Sequence, residues 1–344
     1  MRYMAKIDVN SPEILEEINH LLKLCDVDPE TLDSSLIIQQ IQNSLKLLHE
    51  GFDRGKLKLI TRTFKEMRYA YRVFNQYPGK RRISIFGSAR TPETNPNYQA
   101  AKAFSSELSK QGWMCMTGAA NGIMKAGLEG AERGSSFGLS IQLPFESGAN
   151  SVIEGDPKLI SFRYFFTRKL MFMSHSDALS AFPGGFGTLD ELFECLTLIQ
   201  TGKANIIPIV LIEAPGGEYW KFWEFYVRDH LLEPHLISQE DMHLYFITTS
   251  VDDAVAHVLQ FYKRYHSSRY VQDFFVIRML TPISEEYVEE LNKKFSALVQ
   301  SGKIEQRGPF PEEDEFLDLP RIVFHHTRRD MGMVRALIDK INLF

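Results

Sequence analysis

The feature that most constrains the fold is a regular alternation of short apolar runs with helical stretches, which extends from Arg81 to about Tyr265. Each run is rich in β-branched and aromatic residues and is short enough for a single strand. The runs cover residues 83–86, 114–117, 138–143, 178–182, 206–212 and 244–248. Strands that alternate with helices are typical of a parallel sheet covered by helices on both faces. We therefore expect residues 81–265 to form a doubly wound, Rossmann-like α/β domain.

Residues 1–80 predict an all-helical N-terminal segment. Ser11 followed by Pro12 is typical of a helix start. Farther along, six apolar residues recur at alternating steps of three and four, which places them on one face of a helix. They are Leu57, Ile60, Phe64, Met67, Tyr71 and Phe74. We expect this apolar stripe to pack on the α/β core or on a second subunit.

The same helical region is strongly basic. Between Arg54 and Arg82 there are ten Lys or Arg residues and a single acidic residue, Glu66. Like charges at this density repel one another, and an anionic ligand relieves the repulsion. Two interpretations stay open, namely a solvated basic face and a site over residues 54–82 for a regulatory nucleotide or another anion.

Residues 271–344 predict a small α+β appendage at the C-terminus. Strand patterns at 274–280, near Ile304 and at 322–325 alternate with helical patterns at 284–299 and 331–341. Two prolines and the acidic run 312–315 predict an exposed loop within it.

Composition excludes several classes of protein. The chain has 344 residues, is 44% hydrophobic and 24% charged, and carries a formal net charge of −5. These values argue against a disordered chain and against a nucleic-acid partner. The longest apolar run, 206–212, is far shorter than the ~20 residues that span a bilayer, and the N-terminus lacks the apolar core of a signal peptide. We therefore expect a cytoplasmic protein with no membrane partner, whose widely spaced Cys25, Cys115 and Cys195 are reduced and form no metal site.

Glycine-containing turns follow three of the predicted strands. The first begins at Gly87-Ser88, the second covers 117–124 and the third covers 183–191. The carboxyl ends of parallel strands meet at one edge of a sheet, where backbone N–H groups and helix dipoles bind phosphate. Three such turns on one sheet predict a ligand site at that edge.

The third turn has the richest chemistry. Its glycines let the backbone approach an anion, and the hydroxyl of Thr188 and the N–H groups of a helix beginning near Thr188 can bind phosphate oxygens. Glu191 lies one turn into that helix. The turn therefore predicts an anion site beside a carboxylate, although a tight turn with a capping threonine is an alternative.

Other motifs are absent or weak. The chain has no GxxxxGK[ST] motif, and Gly87 is followed by Ser-Ala-Arg rather than by the rest of a GxGxxG fingerprint. The histidines lack metal-ligand spacing. The run 174–177 (SHSD) contains the residue types of a catalytic triad, but neighbours in sequence seldom meet in triad geometry.

The motif at 183–191, PGGFGTLDE, resembles the PGGxGTxxE signature of the Lonely Guy family, which is also labelled lysine decarboxylase-like. Gly87-Ser88, the turn TGAANGIM at 117–124 and the pair Arg168-Lys169 are similar to further family motifs in the same order. Members release the base from nucleoside 5′-monophosphates. The resemblance therefore implies hydrolysis of the N-glycosidic bond to free base and ribose 5-phosphate.

The resemblance also implies roles for individual residues. Arg168 and Glu191 are the implied catalytic residues, since a carboxylate stabilises the positive charge that develops at C1′ and can activate water. Arg168 would stabilise the departing base or hold the ribose phosphate. The implied substrate and phosphate ligands are Gly87, Ser88, Gly118, Asn121, Gly122, Lys169, Gly184, Gly185, Gly187 and Thr188. No metal and no organic cofactor is expected, and the family implies a homodimer or a higher homo-oligomer.

The chain also departs from the family pattern. Ala119 and Ala120 replace family glycines, so the resemblance implies a narrower pocket beside the ligand. The layout, with segments at both ends, is closer to the longer bacterial nucleotide 5′-monophosphate nucleosidases, and the resemblance does not reach residues 1–80 or 271–344. Two rivals stay open: a nucleotide-binding or carrier protein that keeps the phosphate site without hydrolysis, and a pyridoxal-phosphate lysine decarboxylase. The second is disfavoured because no lysine lies in a recognisable Schiff-base context.

Overall fold

The computed structural model describes residues 8–143 and 148–344. The chain forms two compact units, which meet in sequence between Tyr69 and Ala70. The predicted boundaries at residues 80 and 265 stay a prediction. Among the described residues, no helix is both long enough and apolar enough to cross a membrane.

The first unit is helical, as the sequence predicts. Its helices are α1 (Pro12–Leu24), α2 (Leu32–His49) and α3 (Arg54–Phe74), the last turn of which belongs to the second unit. The Ser11 hydroxyl accepts the N–H of Ile14 and caps α1. The Thr31 hydroxyl caps α2 in the same way through the N–H of Ser34.

The apolar residues along the basic helix α3 differ in how far they are buried. Phe74, at the end of the stripe, is buried and stacks on Phe137 and His175 at centroid distances of 4.8 and 3.8 Å. Phe64, nearer its start, is 53% exposed. The one acid of the region, Glu66, is buried and accepts a hydrogen bond from Arg62. The C-terminal end of the stripe, which belongs to the second unit, therefore packs on the core of that unit.

The second unit is built on a seven-stranded parallel sheet, which confirms the predicted fold class. The strands are β1 (Arg82–Phe86), β2 (Met114–Thr117), β3 (Ser136–Ile141), β4 (Leu159–Phe162), β5 (Ala178–Ala181), β6 (Ile209–Ile212) and β7 (Phe246–Thr248). Their order in space is β4-β3-β2-β1-β5-β6-β7, so the connections reverse direction beside β1. A ligand crevice forms at such a reversal, outside the carboxyl ends of the strands.

Helices connect and flank these strands. They are α4 (Pro96–Lys110), α5 (Ile123–Ala131), α6 (Phe165–His175), α7 (Phe186–Gln200), α8 (Tyr219–Val227) and α9 (Val251–Phe261). Ile85 of β1, Phe104 of α4 and Phe182 after β5 are fully buried in one apolar cluster. This cluster fixes the strand ends from which the glycine turns project.

The C-terminal part is the expected α+β appendage. Its antiparallel sheet contains β8 (Tyr265–Val271), β9 (Phe274–Met279), β10 (Val299–Arg307) and β11 (Arg321–His326), in the order β10-β11-β9-β8. The helices α10 (Glu285–Phe295) and α11 (Met331–Leu343) accompany the sheet. The appendage belongs to the same compact unit as the parallel sheet.

The predicted exposed loop of the appendage is wrong at Glu313. This side chain is buried, and its two oxygens lie 2.9 Å from Nη2 of Arg278 and 2.9 Å from Nε of Arg321. Two guanidinium groups on the buried face of the sheet require a buried counter-charge, so the loop folds inward to supply one.

Candidate active site

The three glycine turns meet at the carboxyl edge of the parallel sheet. The N–H of Ser88, after β1, donates to the carbonyl oxygen of Pro183, after β5, at 3.2 Å. The carbonyl oxygen of Ser88 accepts the N–H of Ile123 at 3.1 Å. Ser88 therefore ties together the turns after β1, β2 and β5, and these turns surround a cleft of about 750 Å³.

Most of the residues expected at the site line this cleft. They are Gly87, Ser88, Gly118, Arg168, Gly184, Gly185, Gly187, Thr188 and Glu191. Within the described part of the chain, Asn121, Gly122 and Lys169 lie outside its walls. Their assignment as ligand-binding residues stays a prediction.

Gly122 has a structural reason to be glycine. Its φ is +62°, and a Cβ at this position would overlap the carbonyl group of Ser88 and the backbone of Ala89. The close approach of two backbones, which only glycine permits at this φ, holds the first and second turns together.

Gly184 allows a similar approach in the third turn. A Cβ there would overlap the side chain of Thr188 and would lie 3.1 Å from the backbone nitrogen of Ser88. The hydroxyl of Tyr219 donates to the Gly184 carbonyl oxygen at 2.7 Å and fixes the turn from the other side.

Helix α7 begins at Phe186, two residues earlier than expected, and no side chain of residues 8–143 or 148–344 caps it. The N–H groups of Thr188 and Leu189 both point back to the carbonyl oxygen of Gly185. These two N–H groups are therefore engaged, and the earlier ones of the helix, on Phe186 and Gly187, lie at the cleft with the positive end of the helix dipole, which is an arrangement that binds phosphate.

Glu191 is the unusual carboxylate of the site. It lines the cleft yet is only 5% exposed. Its Oε1 lies 4.0 Å from Nη2 of Arg168, and its buried Oε2 has no hydrogen-bond partner among the described residues. Burial raises the pKa of the Glu191 carboxyl to about 7, although the positive charges of Lys169 and Arg168 oppose this shift. An unsatisfied buried carboxylate that titrates near neutrality is typical of a functional group.

Arg168 comes from the first turn of α6 and faces Glu191 across the cleft. Its guanidinium carbon lies 5.0 Å from the ring centroid of Phe165, and its side chain is largely buried. This placement brings together the two residues for which the sequence predicts a catalytic role.

Lys169 points elsewhere. Its Nζ lies 2.6 Å from Asp190 and 2.5 Å from Glu194, both on α7. Burial opposes its charge, but the hydrogen bonds to the two carboxylates outweigh burial and raise the pKa of Lys169. The observed contacts make Lys169 a clamp between α6 and α7.

Sequence reasoning missed several residues at the cleft. Phe165 and Phe186 line it with rings that are 56% and 94% exposed. Asn150 lies behind the second turn, where its Nδ2 donates to the carbonyl oxygens of Ala119 at 3.0 Å and Ala120 at 2.8 Å. Phe186 is part of the third motif and could have been found there, whereas no pattern in the sequence links Asn150 to a turn thirty residues earlier.

Ala119 occupies a position that favours glycine. Its φ is +61°, in the left-handed region that an alanine rarely adopts. Its carbonyl oxygen also accepts the backbone N–H of Asn150 at 2.9 Å. Asn150 therefore holds the strained turn with two hydrogen bonds to the same oxygen.

No metal site emerges over residues 8–143 and 148–344, where no group of three or more His, Cys, Asp or Glu side chains is placed to hold an ion.

Residues 108–258 match the model of a protein family described as possible lysine decarboxylase. The matched segment contains the second and third glycine turns, Arg168 and Glu191. It confirms the family resemblance that the motifs predict. No curated protein matches the chain.

Solved structures are similar to about half of the chain. The molybdenum cofactor carrier protein from Chlamydomonas reinhardtii is 21% identical with a TM-score of 0.38, and the match covers 53% of this chain and 97% of that one. The molybdenum cofactor binding protein from Rippkaea orientalis is 20% identical with a TM-score of 0.36, over 52% and 95% of the two chains. DNA processing protein A from Helicobacter pylori is 17% identical with a TM-score of 0.37, over 52% and 80%. Likenesses at this level assign no ligand to the present chain.

Proposed function

We propose that the chain hydrolyses the N-glycosidic bond of nucleoside 5′-monophosphates and releases free base and ribose 5-phosphate. The premise of this proposal is the family match over residues 108–258. The observation that carries this proposal is the buried Glu191 carboxylate at the cleft, with an unsatisfied Oε2 and with Arg168 4.0 Å from its Oε1.

The reaction requires what this pair supplies. As the bond between C1′ and the base nitrogen breaks, its electron pair leaves with the base and positive charge develops on C1′ and the ring oxygen. The ionised Glu191 stabilises that charge, and it accepts a proton from the water whose oxygen attacks C1′. Arg168 stabilises negative charge on the departing base, which then takes up, through solvent, the proton that Glu191 releases.

In this proposal the 5′-phosphate binds to the 184–188 turn, away from the bond that breaks. It lies against the N-terminus of α7, which no side chain of the described residues caps. Binding energy from this group, remote from the bond that breaks, positions the sugar over Glu191. The exposed ring of Phe165, beside Arg168, offers a face on which a base can stack.

The first prediction compares AMP with adenosine. We expect base release from AMP to be about 100-fold faster, because only AMP uses the phosphate site. Chromatography of free adenine, with ribose 5-phosphate measured in parallel, checks this. Equal rates on the two compounds would contradict the proposed phosphate site. Binding of AMP without any base release would favour the alternative, a non-catalytic carrier.

The second prediction concerns pH. Because the pKa of Glu191 is raised to about 7 and the ionised form is the active one, kcat/KM for AMP should rise about fourfold between pH 6.5 and 8.5. Initial rates at low substrate concentration over this range measure it. A rate that falls with rising pH would show that the protonated carboxyl is the working form.

We also propose that the protein is cytoplasmic, that it forms a homodimer or a higher homo-oligomer, and that the basic region 54–82 binds an anion.

A further inference from the structure

A second cavity, of about 570 Å³, opens at the opposite edge of the parallel sheet. Its walls come from the starts of β1 and β5, the C-terminal ends of α6 and α7, and strand β8 of the appendage. Helices α6 and α7 carry Arg168 and Glu191 at their other ends, so the two cavities lie at opposite ends of the same helix pair.

Several carbonyl groups at the helix ends beside this cavity accept hydrogen bonds from within the chain. In α6, the hydroxyls of Ser174 and Ser176 donate to the carbonyl oxygens of Leu170 and Phe172, both at 2.7 Å. In α7, the N–H of Lys203 donates to the carbonyl oxygen of Leu198 at 2.8 Å.

The charged side chains that line the cavity are mostly cationic. They are Arg82, Lys203, Arg269 and one acid, Asp177. Lys203 and Arg269 are exposed. Neither is among the described residues with a further side-chain interaction, and no side-chain hydrogen bond or ion pair joins either of them to the described residues. Nε of Arg82 is buried and has no hydrogen-bond partner within the same part of the chain.

The acid does not neutralise the two exposed cations. Oδ2 of Asp177 accepts the backbone N–H of Arg82 at 2.8 Å. Burial raises the pKa of the Asp177 carboxyl, although this hydrogen bond and the positive charges of Arg81 and Arg82 oppose the shift. His175 and His266 also line the cavity, and burial lowers the pKa of both. They are therefore neutral near pH 7 and serve as hydrogen-bonding groups.

We propose that this cavity binds a phosphate-bearing small molecule, with Lys203 and Arg269 on the phosphate groups and with the hydroxyl of Ser267, which lies 2.9 Å from Nδ1 of His266 on the same strand, as a hydrogen-bonding partner. Cations without a side-chain partner in the described part of the chain, in a concave site with a hydroxyl group, match the charge and the acceptors of phosphate. Tyr262, Phe275 and Met331 supply an apolar wall for an organic part of the ligand. The site is separate from the cleft of the proposed hydrolysis and does not depend on that reaction.

Hydrogen exchange with mass spectrometry tests this proposal on the full chain, with inorganic pyrophosphate and ADP as probes. We expect either probe to slow exchange in peptides covering 198–207 and 265–270. The double variant Lys203→Gln with Arg269→Gln should raise the half-saturating concentration for this protection at least about tenfold. The matched control, Lys221→Gln with Lys303→Gln, removes two exposed cations elsewhere and should leave it unchanged.

Two results would overturn the proposal. One is the absence of protection at 198–207 and 265–270 in the parent chain at millimolar probe. The other is protection in the Lys203→Gln, Arg269→Gln variant equal to that of the parent. A lower half-saturating concentration for ADP than for pyrophosphate identifies an organic phosphate as the ligand, whereas equal values identify free pyrophosphate. Hydrogen exchange at these peptides measures binding and not hydrolysis. The experiment therefore still tests this proposal if the chain does not hydrolyse nucleoside 5′-monophosphates.

Discussion

Replacing Glu191 with Gln is expected to lower kcat for AMP by about 10³-fold. The amide keeps the shape of the side chain but cannot carry the negative charge that stabilises the transition state or accept the proton of the attacking water. Steady-state assays over a range of AMP concentrations measure the effect. Glu224→Gln, a change of the same type at a carboxylate paired with Arg228 on the surface, should retain full turnover. A Glu191→Gln variant with near-parent kcat would assign the chemistry to another group.

The same substitution should stabilise the fold at alkaline pH. The pKa of Glu191 is raised from 4.5 to about 7 in the folded chain, so folding favours the protonated form. The free energy of unfolding of the parent therefore falls as pH rises from about 4.5 to 7, by an amount on the order of 3 kcal/mol, and stays lowered above pH 7. Glu191→Gln removes this loss. Urea unfolding should find the variant more stable than the parent at pH 8 and equal to it at pH 4.5, and a less stable variant at pH 8 would contradict the raised pKa.

Gly122→Ala is expected to destabilise the second unit by about 3 kcal/mol or more. The new methyl group would overlap the Ser88 carbonyl and would also force an alanine into the left-handed region. Gly155→Ala separates the two effects, because Gly155 has a φ of +71° and open space around its Cβ direction. We expect that control to lose only about 1 kcal/mol. Urea titrations of both variants measure the difference, and equal losses would show that the close approach at Ser88 is not a constraint.

The parallel sheet could be predicted from the sequence because its central strands are continuous apolar runs that are buried on both faces. The strand β4 escaped prediction since it holds only four residues and one of them, Ser161, is exposed. The strand β8 escaped for a related reason: the polar residues His266, Ser267, Ser268 and Arg269 interrupt any apolar pattern. Residues that face a cavity or lie at the edge of a sheet do not follow the pattern of apolar residues from which strands are predicted.

The candidate site could be predicted in part. Glycine turns after strands place Ser88, Gly118 and Gly184 together because the geometry of a parallel sheet leaves no other position for them. Side-chain direction is not fixed by such a pattern. The neighbours Arg168 and Lys169 differ in this way: Arg168 faces the cleft, while Lys169 pairs with Asp190 and Glu194. Only the packing of α6 against α7 decides between those two directions.

The alanine at position 119 has a consequence for ligand binding. A glycine in this turn would sample many backbone conformations in the free protein, whereas Ala119 at a φ of +61°, with its carbonyl oxygen fixed by Asn150, samples few. A turn that is already ordered loses little conformational entropy when a ligand arrives, so more of the contact energy remains as affinity. Alanine rather than glycine at position 119 thus makes this wall of the cleft preorganised, with backbone strain that persists whether or not the cleft is occupied.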